Sequence, residues 1–367
     1  MYQVNEKRLY KIFKDLASIS SPSMKEEKVI DYLEEFSQKH GLSFTAYPCG
    51  KSRNVMMKLK ATDVSKKSVL FSAHTDTVTP CENIKVIENE TRFTSDGTTV
   101  LGGDDKAGIA AVLEAVLYIS ENKIPHGDLE LLFTCAEEIG LVGMKAMNLK
   151  NIKSKLCYVL DSGGPIGTAA IQAPYHLFVG TEIKGKAAHA GMEPENGISA
   201  ITALAGIISK LPSGRIDAET TTNIGTVSGG KATNIVAADA SFALEIRSLS
   251  QKKMKALESK IIQTIKNEAL KHRVKVKIER NLEYSGFCVK MDSPVIEHFE
   301  KACASIKIKP RYEASGGGSD TNVLQSAGLE AVNLSAGMSK VHTTSEYIKK
   351  SDLVKLSRLV TALIDKA

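Results

Sequence analysis

Residues 68–76 read SVLFSAHTD, an apolar run that ends in a histidine and an aspartate two positions apart. The run Ser68–Ala73 is short and apolar and is followed by polar residues, which predicts a buried β-strand. Further apolar runs predict strands at 129–134 and 156–160, and residues 107–119 predict a helix that is buried on almost every side. Short buried strands that alternate with helices are typical of an α/β sheet with much parallel pairing.

The pattern changes near residue 176, where the elements are predicted in the order β-α-β-β-α-β of the ferredoxin-like fold. These elements are strands at 176–184, 222–228, 239–247 and 274–282, with helices at 197–210 and 250–272. The first pattern then resumes, with a helix at 294–304, a strand at 331–334 and a helix at about 351–366. We therefore predict one domain from residues 1–175 and 286–367, with a small domain of residues 176–285 inserted into it.

The N-terminal segment is charged and carries apolar residues at helical spacing, which is unlike a signal peptide. Ser23 and Glu26 have the spacing of a capping box, which predicts a second helix directly after Ser23. No stretch approaches the roughly 18 uninterrupted apolar residues of a membrane span. The six cysteines lie far apart, several of them within apolar runs, as is usual for free thiols. We expect a cytoplasmic protein that has no membrane partner.

The composition is that of an ordinary globular protein, with 43% hydrophobic and 25% charged residues. The net charge of +6 is mild, and basic residues are interleaved with acidic ones. A surface of mixed charge therefore explains the basic residues better than a nucleic-acid partner does.

Polar side chains collect where the predicted strands end. In chain order these are His74 and Asp76 after the first strand, Glu137 and Glu138 after the second, and Asp161 after the third. In open α/β sheets, ligands bind at the carboxyl ends of the strands. We therefore expect side chains from three strands to converge on one centre.

Each of these polar residues, and others farther along the chain, also has an ordinary structural explanation. Asp104 and Asp105 would suit a helix N-terminus, and His342 would suit an exposed surface. Such explanations do not account for the placement of the whole set at strand ends. Histidine and carboxylate ligands suit zinc, with manganese or cobalt as substitutes. The carboxylates are too many for one tetrahedral ion, so we predict two ions that share a carboxylate.

Five segments of the chain occur in a characteristic order. They are SAHTDTV (72–78), GGDDKAG (102–108), AEEIG (136–140), VLDSGG (159–164) and VHTTSE (341–346). Together they resemble the dinuclear zinc exopeptidase family that includes peptidase T, glutamate carboxypeptidase and succinyl-diaminopimelate desuccinylase. The spacing and the GGDDKAG segment are most similar to peptidase T, a tripeptide aminopeptidase. The segment HTTSEY departs from the His-Gly-type segment of peptidase T.

The resemblance implies a catalytic domain with a mixed, largely parallel sheet flanked by helices, and it assigns roles to the site residues. One zinc ion would be held by His74, Asp161 and a bridging Asp104. The other would be held by Glu138, His342 and the same Asp104. Asp76 would hydrogen-bond His74, and Glu137 would be the general base. The family also implies a cis peptide bond between Asp104 and Asp105.

The resemblance further implies that the inserted domain acts as a lid and as a surface for homodimerisation. His189, in GKAAHAG (185–191), would hydrogen-bond the developing oxyanion. Asn234 and Arg247 would bind the carboxylate of the substrate, for which a guanidinium group is well suited. The glycine-rich loop with Gly317 and Gly318 would contact the substrate through its backbone. Each of these also has an ordinary interpretation, as an exposed loop residue, a surface ion pair or a flexible loop.

Other classes of function remain to be weighed. Residues 225–231 read GTVSGGK and match most of a phosphate-binding loop, but the next residue is Ala232, which lacks the required hydroxyl group. A non-catalytic metal-binding protein of the same fold would be expected to lack the base or a ligand, and here every such position is filled. The sequence therefore predicts an exopeptidase that releases the N-terminal residue of tripeptides. A carboxypeptidase or an N-acyl-amino-acid amidohydrolase with the same metal chemistry stays open.

Overall fold

The computed structural model describes residues 2–367, which form nine α-helices and eighteen strands in two compact units. The helices are α1 (Glu6–Ala17), α2 (Glu27–His40), α3 (Gly103–Glu121), α4 (Val142–Ala146), α5 (Ala200–Ile208), α6 (Gln251–Lys271), α7 (Pro294–Ser305), α8 (Asp320–Ser326) and α9 (Lys350–Asp365).

In chain order, the first eight strands are β1 (Ser43–Cys49), β2 (Ser52–Leu59), β3 (Val69–His74), β4 (Ile87–Glu88), β5 (Arg92–Thr94), β6 (Leu129–Thr134), β7 (Leu156–Ser162) and β8 (Thr168–Ala173). The remaining strands are β9 (Tyr175–Lys184), β10 (Gly214–Asp217), β11 (Thr220–Gly229), β12 (Asp239–Ser248), β13 (Lys275–Tyr284), β14 (Phe287–Cys288), β15 (Arg311–Ala314), β16 (Ala331–Ser335), β17 (Met338–Ser339) and β18 (Tyr347–Lys349). Among the described residues, the first unit consists of residues 2–172, 288–315 and 319–367, and the second consists of residues 173–287 and 316–318.

The first unit is built on a nine-stranded mixed sheet in the order β1-β2-β6-β3-β7-β16-β8-β14, with β15 paired to β8. Its central strands β6, β3, β7 and β16 run parallel to one another, and β2 and β1 extend it antiparallel. Every residue of β3 and β6 is buried, as their uninterrupted apolar sequences predict. The parallel pairing places the carboxyl ends of β3, β6 and β7 at one edge of the sheet.

Helix α3 lies in the core of the first unit and packs against β3, α1 and α9. It is buried along nearly its whole length, because most residues of its middle are alanine, glycine or aliphatic. Its first turn is irregular: Asp104 and Asp105 have non-helical backbone angles, and the peptide bond between them is cis. The cis bond that the family resemblance implied is thus confirmed.

The second unit has the β-α-β-β-α-β order of the ferredoxin-like fold. Its antiparallel sheet has the strand order β10-β11-β12-β9-β13, and the short strand β10 is an addition at one edge. Helices α5 and α6 pack on this sheet around a core of aliphatic side chains. The predicted fold class, a mixed α/β sheet flanked by helices with an inserted ferredoxin-like unit, is confirmed.

Several local predictions differ from the structure. The capping box was wrong: α2 begins at Glu27, and its N-cap residue Glu26 makes no side-chain capping bond. The carboxylate of Glu26 instead accepts a hydrogen bond from the backbone N–H of Ala136, 110 residues away. Strand β7 continues through Asp161 to Ser162 and does not end before Asp161. The four-stranded sheet β17-β18-β5-β4 was not predicted.

Among the helices of residues 2–367, none combines the length and the apolar character that crossing a membrane requires.

Candidate metal centre

His74 is the last residue of β3, and its ring is almost fully buried. Its Nδ1 atom lies 3.0 Å from the backbone oxygen of Asp76 and 3.4 Å from Asp76 Oδ1. Both of these atoms are acceptors, so the proton of a neutral ring belongs on Nδ1. Its Nε2 atom lies 3.1 Å from Asp104 Oδ1 and 3.9 Å from Asp161 Oδ1. The ligand atom of this histidine therefore faces two carboxylates.

Asp104 lies between two groups of ligand-type side chains. Its Oδ1 atom faces His74, and its Oδ2 atom lies 3.3 Å from His342 Nε2. The same Nε2 atom lies 3.1 Å from Glu138 Oε1. One group thus comprises His74, Asp104 and Asp161, and the other comprises Asp104, Glu138 and His342; within each group the ligand atoms all lie within 4.8 Å of one another. All five side chains predicted as metal ligands therefore converge, with Asp104 common to both groups.

The electrostatics of this cluster favour bound cations. Burial raises the pKa of Asp161 well above its usual range, and the charges of Glu137 and Asp104 add to this effect. Burial also opposes the charged form of Asp104, but hydrogen bonds from His342 and His74 outweigh it and hold its pKa below the usual range. Hydrogen bonds to Asp104 and Glu138 raise the pKa of His342 to about 10. Buried carboxylates that repel one another and draw positive charge to both histidines are the donor set that two divalent ions would neutralise.

Asp76 connects His74 to the loop that follows β6. Its Oδ1 atom accepts a hydrogen bond from the backbone N–H of Glu137 at 2.9 Å, and its Oδ2 atom accepts one from Glu138 N–H at 3.2 Å. The hydroxyl group of Ser23 also donates to Oδ2, at 2.7 Å. Asp76 is fully buried, so these bonds to an ionised group are strong. One carboxylate thus holds the backbone of two further site residues as well as facing a histidine.

Glu137 lies in a mostly buried position beside this cluster. Burial raises the pKa of Glu137 well above its usual range, and the charge of Asp320 adds to the effect. Asp320 is itself buried; one of its oxygens accepts from the hydroxyl group of Thr134 at 2.6 Å, and burial raises its pKa to about 6. A carboxylate whose proton affinity is raised in this way is suited to accept a proton and release it again.

Several residues that support the site were not predicted as part of it. These are Ser23, Glu26, Asp320 and Glu346. Glu26 accepts hydrogen bonds from the N–H groups of Met24 and Ala136, both at 2.9 Å, and Ala136 precedes Glu137 in a left-handed conformation with φ of 50°. The only signal for these residues in the sequence was their position within or next to segments already singled out.

In the second unit, His189 and Asn234 lie on adjacent loops. His189 forms an isolated antiparallel β-bridge with Ile235, and Ala190 N–H donates to the backbone oxygen of Asn234 at 3.0 Å. The Nδ1 atom of His189 accepts from the N–H groups of Gly191 and Met192, at 3.2 and 3.1 Å. The proton of the neutral ring is therefore on Nε2, and this exposed histidine can act as a donor.

Arg247 forms a second cluster within the same unit. Its Nε and Nη2 atoms donate to the two carboxylate oxygens of Glu245, at 3.0 and 3.1 Å, and Nη1 donates to the hydroxyl group of Tyr284 at 3.2 Å. A Cβ atom on Gly318 would lie 2.3 Å from the Tyr284 ring, and one on Gly317 would lie 3.9 Å from Arg247 Nη1. The glycine-rich loop therefore lies close against the Arg247 cluster, as glycine permits.

Known proteins are similar to this chain in sequence and in fold. The family model of the peptidase dimerisation domain of the M20 type matches residues 176–273, and the model of peptidase family M28 matches residues 54–185. Peptidase T of Fusobacterium nucleatum is 28% identical over 286 residues, which cover 77% of this chain and 69% of that protein.

Solved structures also match over nearly the whole chain, among them two peptidases. A tripeptidase from Staphylococcus aureus is 32% identical, with a TM-score of 0.92, over 99% of this chain and 98% of that one. The aminopeptidase PepT from Bacillus cereus is 38% identical, with a TM-score of 0.89, over 99% of both chains. Since the identity extends across the full length of both chains, this protein belongs to the M20 family of peptidases, in the group that contains peptidase T.

Proposed function

We propose that this peptidase holds two divalent metal ions, zinc in the native protein, and releases the N-terminal residue of tripeptides. The observation that carries the metal assignment is the position of Asp104, whose two oxygens face the two ligand groups. One ion would be held by His74, Asp104 and Asp161, and the other by Asp104, Glu138 and His342. Manganese or cobalt would suit the same ligands.

When bound, the ions supply Lewis acidity that polarises a carbonyl group and makes water easier to deprotonate. The side chains of the protein handle the proton. Glu137 accepts it from the attacking water and delivers it to the nitrogen of the leaving amine, which its raised pKa permits. Asp76 holds the backbone of Glu137 in place for both steps.

His189 would stabilise the negative charge that develops on the carbonyl oxygen. The support for this role is its tautomer, because two backbone N–H groups donate to Nδ1 and leave Nε2–H as the donor. A hydrogen bond that is made to the developing oxyanion contributes on the order of 3–4 kcal/mol to catalysis.

The choice of a tripeptide rests on the relatives and on the Arg247 cluster. Two of the matching structures are those of a tripeptidase and an aminopeptidase. Arg247 keeps N–H groups beyond those used by Glu245 and Tyr284. We propose that Arg247 and Asn234 bind the C-terminal carboxylate of the peptide, with the backbone of Gly317 and Gly318 against it. Binding of this carboxylate would favour peptides with a free C-terminus.

The test is hydrolysis of Ala-Ala-Ala, its N-acetylated form and its C-terminal amide by the zinc-loaded protein, with products identified by mass. We expect alanine and dialanine from the free tripeptide and no product from the acetylated form. Glu137→Gln should keep the metal content and lose turnover. Cleavage of the acetylated form but not the amide would instead indicate a carboxypeptidase or an N-acyl-amino-acid amidohydrolase.

We also propose that the second unit mediates a homodimer. Strand β10 pairs only with Thr220–Thr222 of β11, so the outer edge of β11 from residue 223 to 229 has no partner strand within the described chain. Unpaired strand edges are ready to pair with another chain. Exposed apolar side chains lie on or near this edge, at Val227 and Ile201. Light scattering should give a molar mass twice that of one chain. In Val227→Lys the measured mass should decrease toward that of a single chain.

We expect the protein to act in the cytoplasm. All six cysteines are free thiols, five of them buried, which suits a reducing compartment. Cell fractionation would test this, and recovery outside the cytoplasmic fraction would contradict it.

A further inference from the structure

We infer that Glu346 is a positioning residue for the metal centre, because its carboxylate fastens the loop that carries Asp104 to the turn that carries His342. The inference rests on the proposed metal sites. Glu346 contacts no ligand atom and no reacting group. It acts by setting the distance between two ligands, Asp104 and His342, that lie far apart in the sequence.

The carboxylate of Glu346 is buried and accepts three backbone hydrogen bonds from one loop. Its Oε2 atom accepts from the N–H groups of Leu101 and Gly102, at 2.9 and 2.8 Å. Its Oε1 atom accepts from the N–H of Asp104 at 2.9 Å. Only 1% of the residue is exposed, so water does not compete for these bonds. The backbone of the proposed bridging ligand is therefore tied directly to this side chain.

The loop is shaped to receive the carboxylate. Gly102 has φ of 72°, a conformation that glycine adopts at little cost. A Cβ atom on Gly103 would lie 3.0 Å from Glu346 Oε1, so a side chain there would press on the carboxylate. The fully buried Lys106, whose Nζ donates to the backbone oxygen of Ile19 at 2.6 Å, contributes positive charge near Glu346. Two glycines and a buried lysine thus make room for the carboxylate of Glu346 in this loop and offset its negative charge.

The other end of the connection is a short turn that begins at His342. The backbone N–H of Glu346 donates to the oxygen of Thr343 at 3.1 Å, and Ser345 N–H donates to the Thr343 hydroxyl group at 3.2 Å. The next residue, Tyr347, starts β18 and pairs with β5. The turn is thus fixed at its end, and Glu346 links it to Asp104, whose Oδ2 lies 3.3 Å from His342 Nε2.

A merely structural carboxylate would make the same hydrogen bonds but would affect only the stability of the fold. The two roles are separated by metal affinity, measured on folded protein. In Glu346→Gln the amide nitrogen cannot accept a hydrogen bond, so at least one of the three N–H groups loses its acceptor. If Glu346 positions the ligands, one of the two ions should bind more weakly by about ten- to a hundredfold.

The matched control is Glu130→Gln. Glu130 is also a buried carboxylate that accepts backbone bonds, from Lys153 and Ser154 N–H at 2.8 Å each, but it lies near the start of β6, away from the carboxyl ends of the strands. We expect this variant to lose stability while binding both zinc ions as the unaltered protein does.

The experiment is a zinc titration against a competing chelator, with circular dichroism to verify the fold of each variant. A second variant, Gly103→Ala, displaces the carboxylate without removing it and should also weaken one ion; it decides the question if Glu346→Gln does not fold. Zinc affinities within twofold of the unaltered protein in a folded variant would overturn the inference. If the unaltered protein itself binds fewer than two ions, the proposed metal sites fail instead.

Discussion

Replacing Asp76 by asparagine should weaken metal binding more than it weakens the fold. The carboxylate accepts N–H bonds from Glu137 and Glu138 and a hydroxyl bond from Ser23. An asparagine oxygen placed as Oδ1 could keep the bonds to His74 and Glu137. Its amide group would then lie at Oδ2, where Ser23 can accept a hydrogen bond but the N–H of Glu138 cannot.

The magnitude follows from this exchange. One hydrogen bond to a charged group is lost, which costs about 1.5–3 kcal/mol, and those that remain become weaker. Because Glu138 is a proposed ligand, this loss corresponds to about a ten- to hundredfold weaker binding of zinc. In the metal-free protein the change also removes one of several buried negative charges that repel each other. The stability of the metal-free form should therefore fall less than that of the loaded form.

The assay is thermal unfolding of Asp76→Asn and the unaltered protein, each with saturating zinc and with chelator, together with a competition titration for zinc affinity. We expect the stabilisation by zinc to shrink in the variant. Asp63→Asn, which changes a partly exposed carboxylate outside the metal site, serves as the control. Equal loss of stability in both forms, with unchanged zinc affinity, would refute the reasoning.

Three further predictions concern stability around the site and in the core. Burial lowers the pKa of His298 to about 4, so the unfolded chain binds a proton that the folded chain does not between about pH 6.5 and 4. As the pH decreases from about 6.5 to 4, the free energy of unfolding should decrease by about 3 kcal/mol. Urea unfolding of His298→Gln at several pH values should show a weaker dependence of this free energy on pH. An equally steep dependence in the variant would contradict this. Gly143→Ala should cost about 1–3 kcal/mol, because its Cβ would lie 2.2 Å from the oxygen of Cys135, whereas Gly225→Ala, with only one distant neighbour, should be nearly neutral in the same assay. Glu26→Gln keeps an oxygen that can accept from the N–H groups of Met24 and Ala136, so it should retain activity and stability. Glu26→Leu leaves both N–H groups unpaired and should lose about 2–5 kcal/mol of stability and most turnover. Equal behaviour of the two variants would show that these hydrogen bonds do not support the site.

Patterns that repeat along the chain were readable from the sequence. The apolar runs of β3, β6 and β7 and the small, apolar residues of α3 each predict burial without knowledge of their neighbours. Once parallel pairing of the strands is inferred, their carboxyl ends must share an edge, which brings His74 and Asp161 near one another. The role of each residue came from the family resemblance, since spacing alone does not distinguish a ligand from a base.

Contacts between distant residues were not readable in the same way. Glu26 has the spacing of a capping residue, but the buried N–H of Ala136 is the partner that its carboxylate takes. Glu346 and Asp104 are 242 positions apart, and nothing in either local sequence identifies the other. The strands β4, β5, β17 and β18 have only two or three residues each, too few for an alternating pattern to appear.

The most direct test of the account is a titration of the metal-free protein with zinc, in which bound metal and hydrolysis of Ala-Ala-Ala are measured at each step. Two ligand groups that share Asp104 predict saturation at two ions per chain, with full activity only when both are bound. Saturation at one ion per chain, or full activity in protein freed of metal, would contradict the central claim.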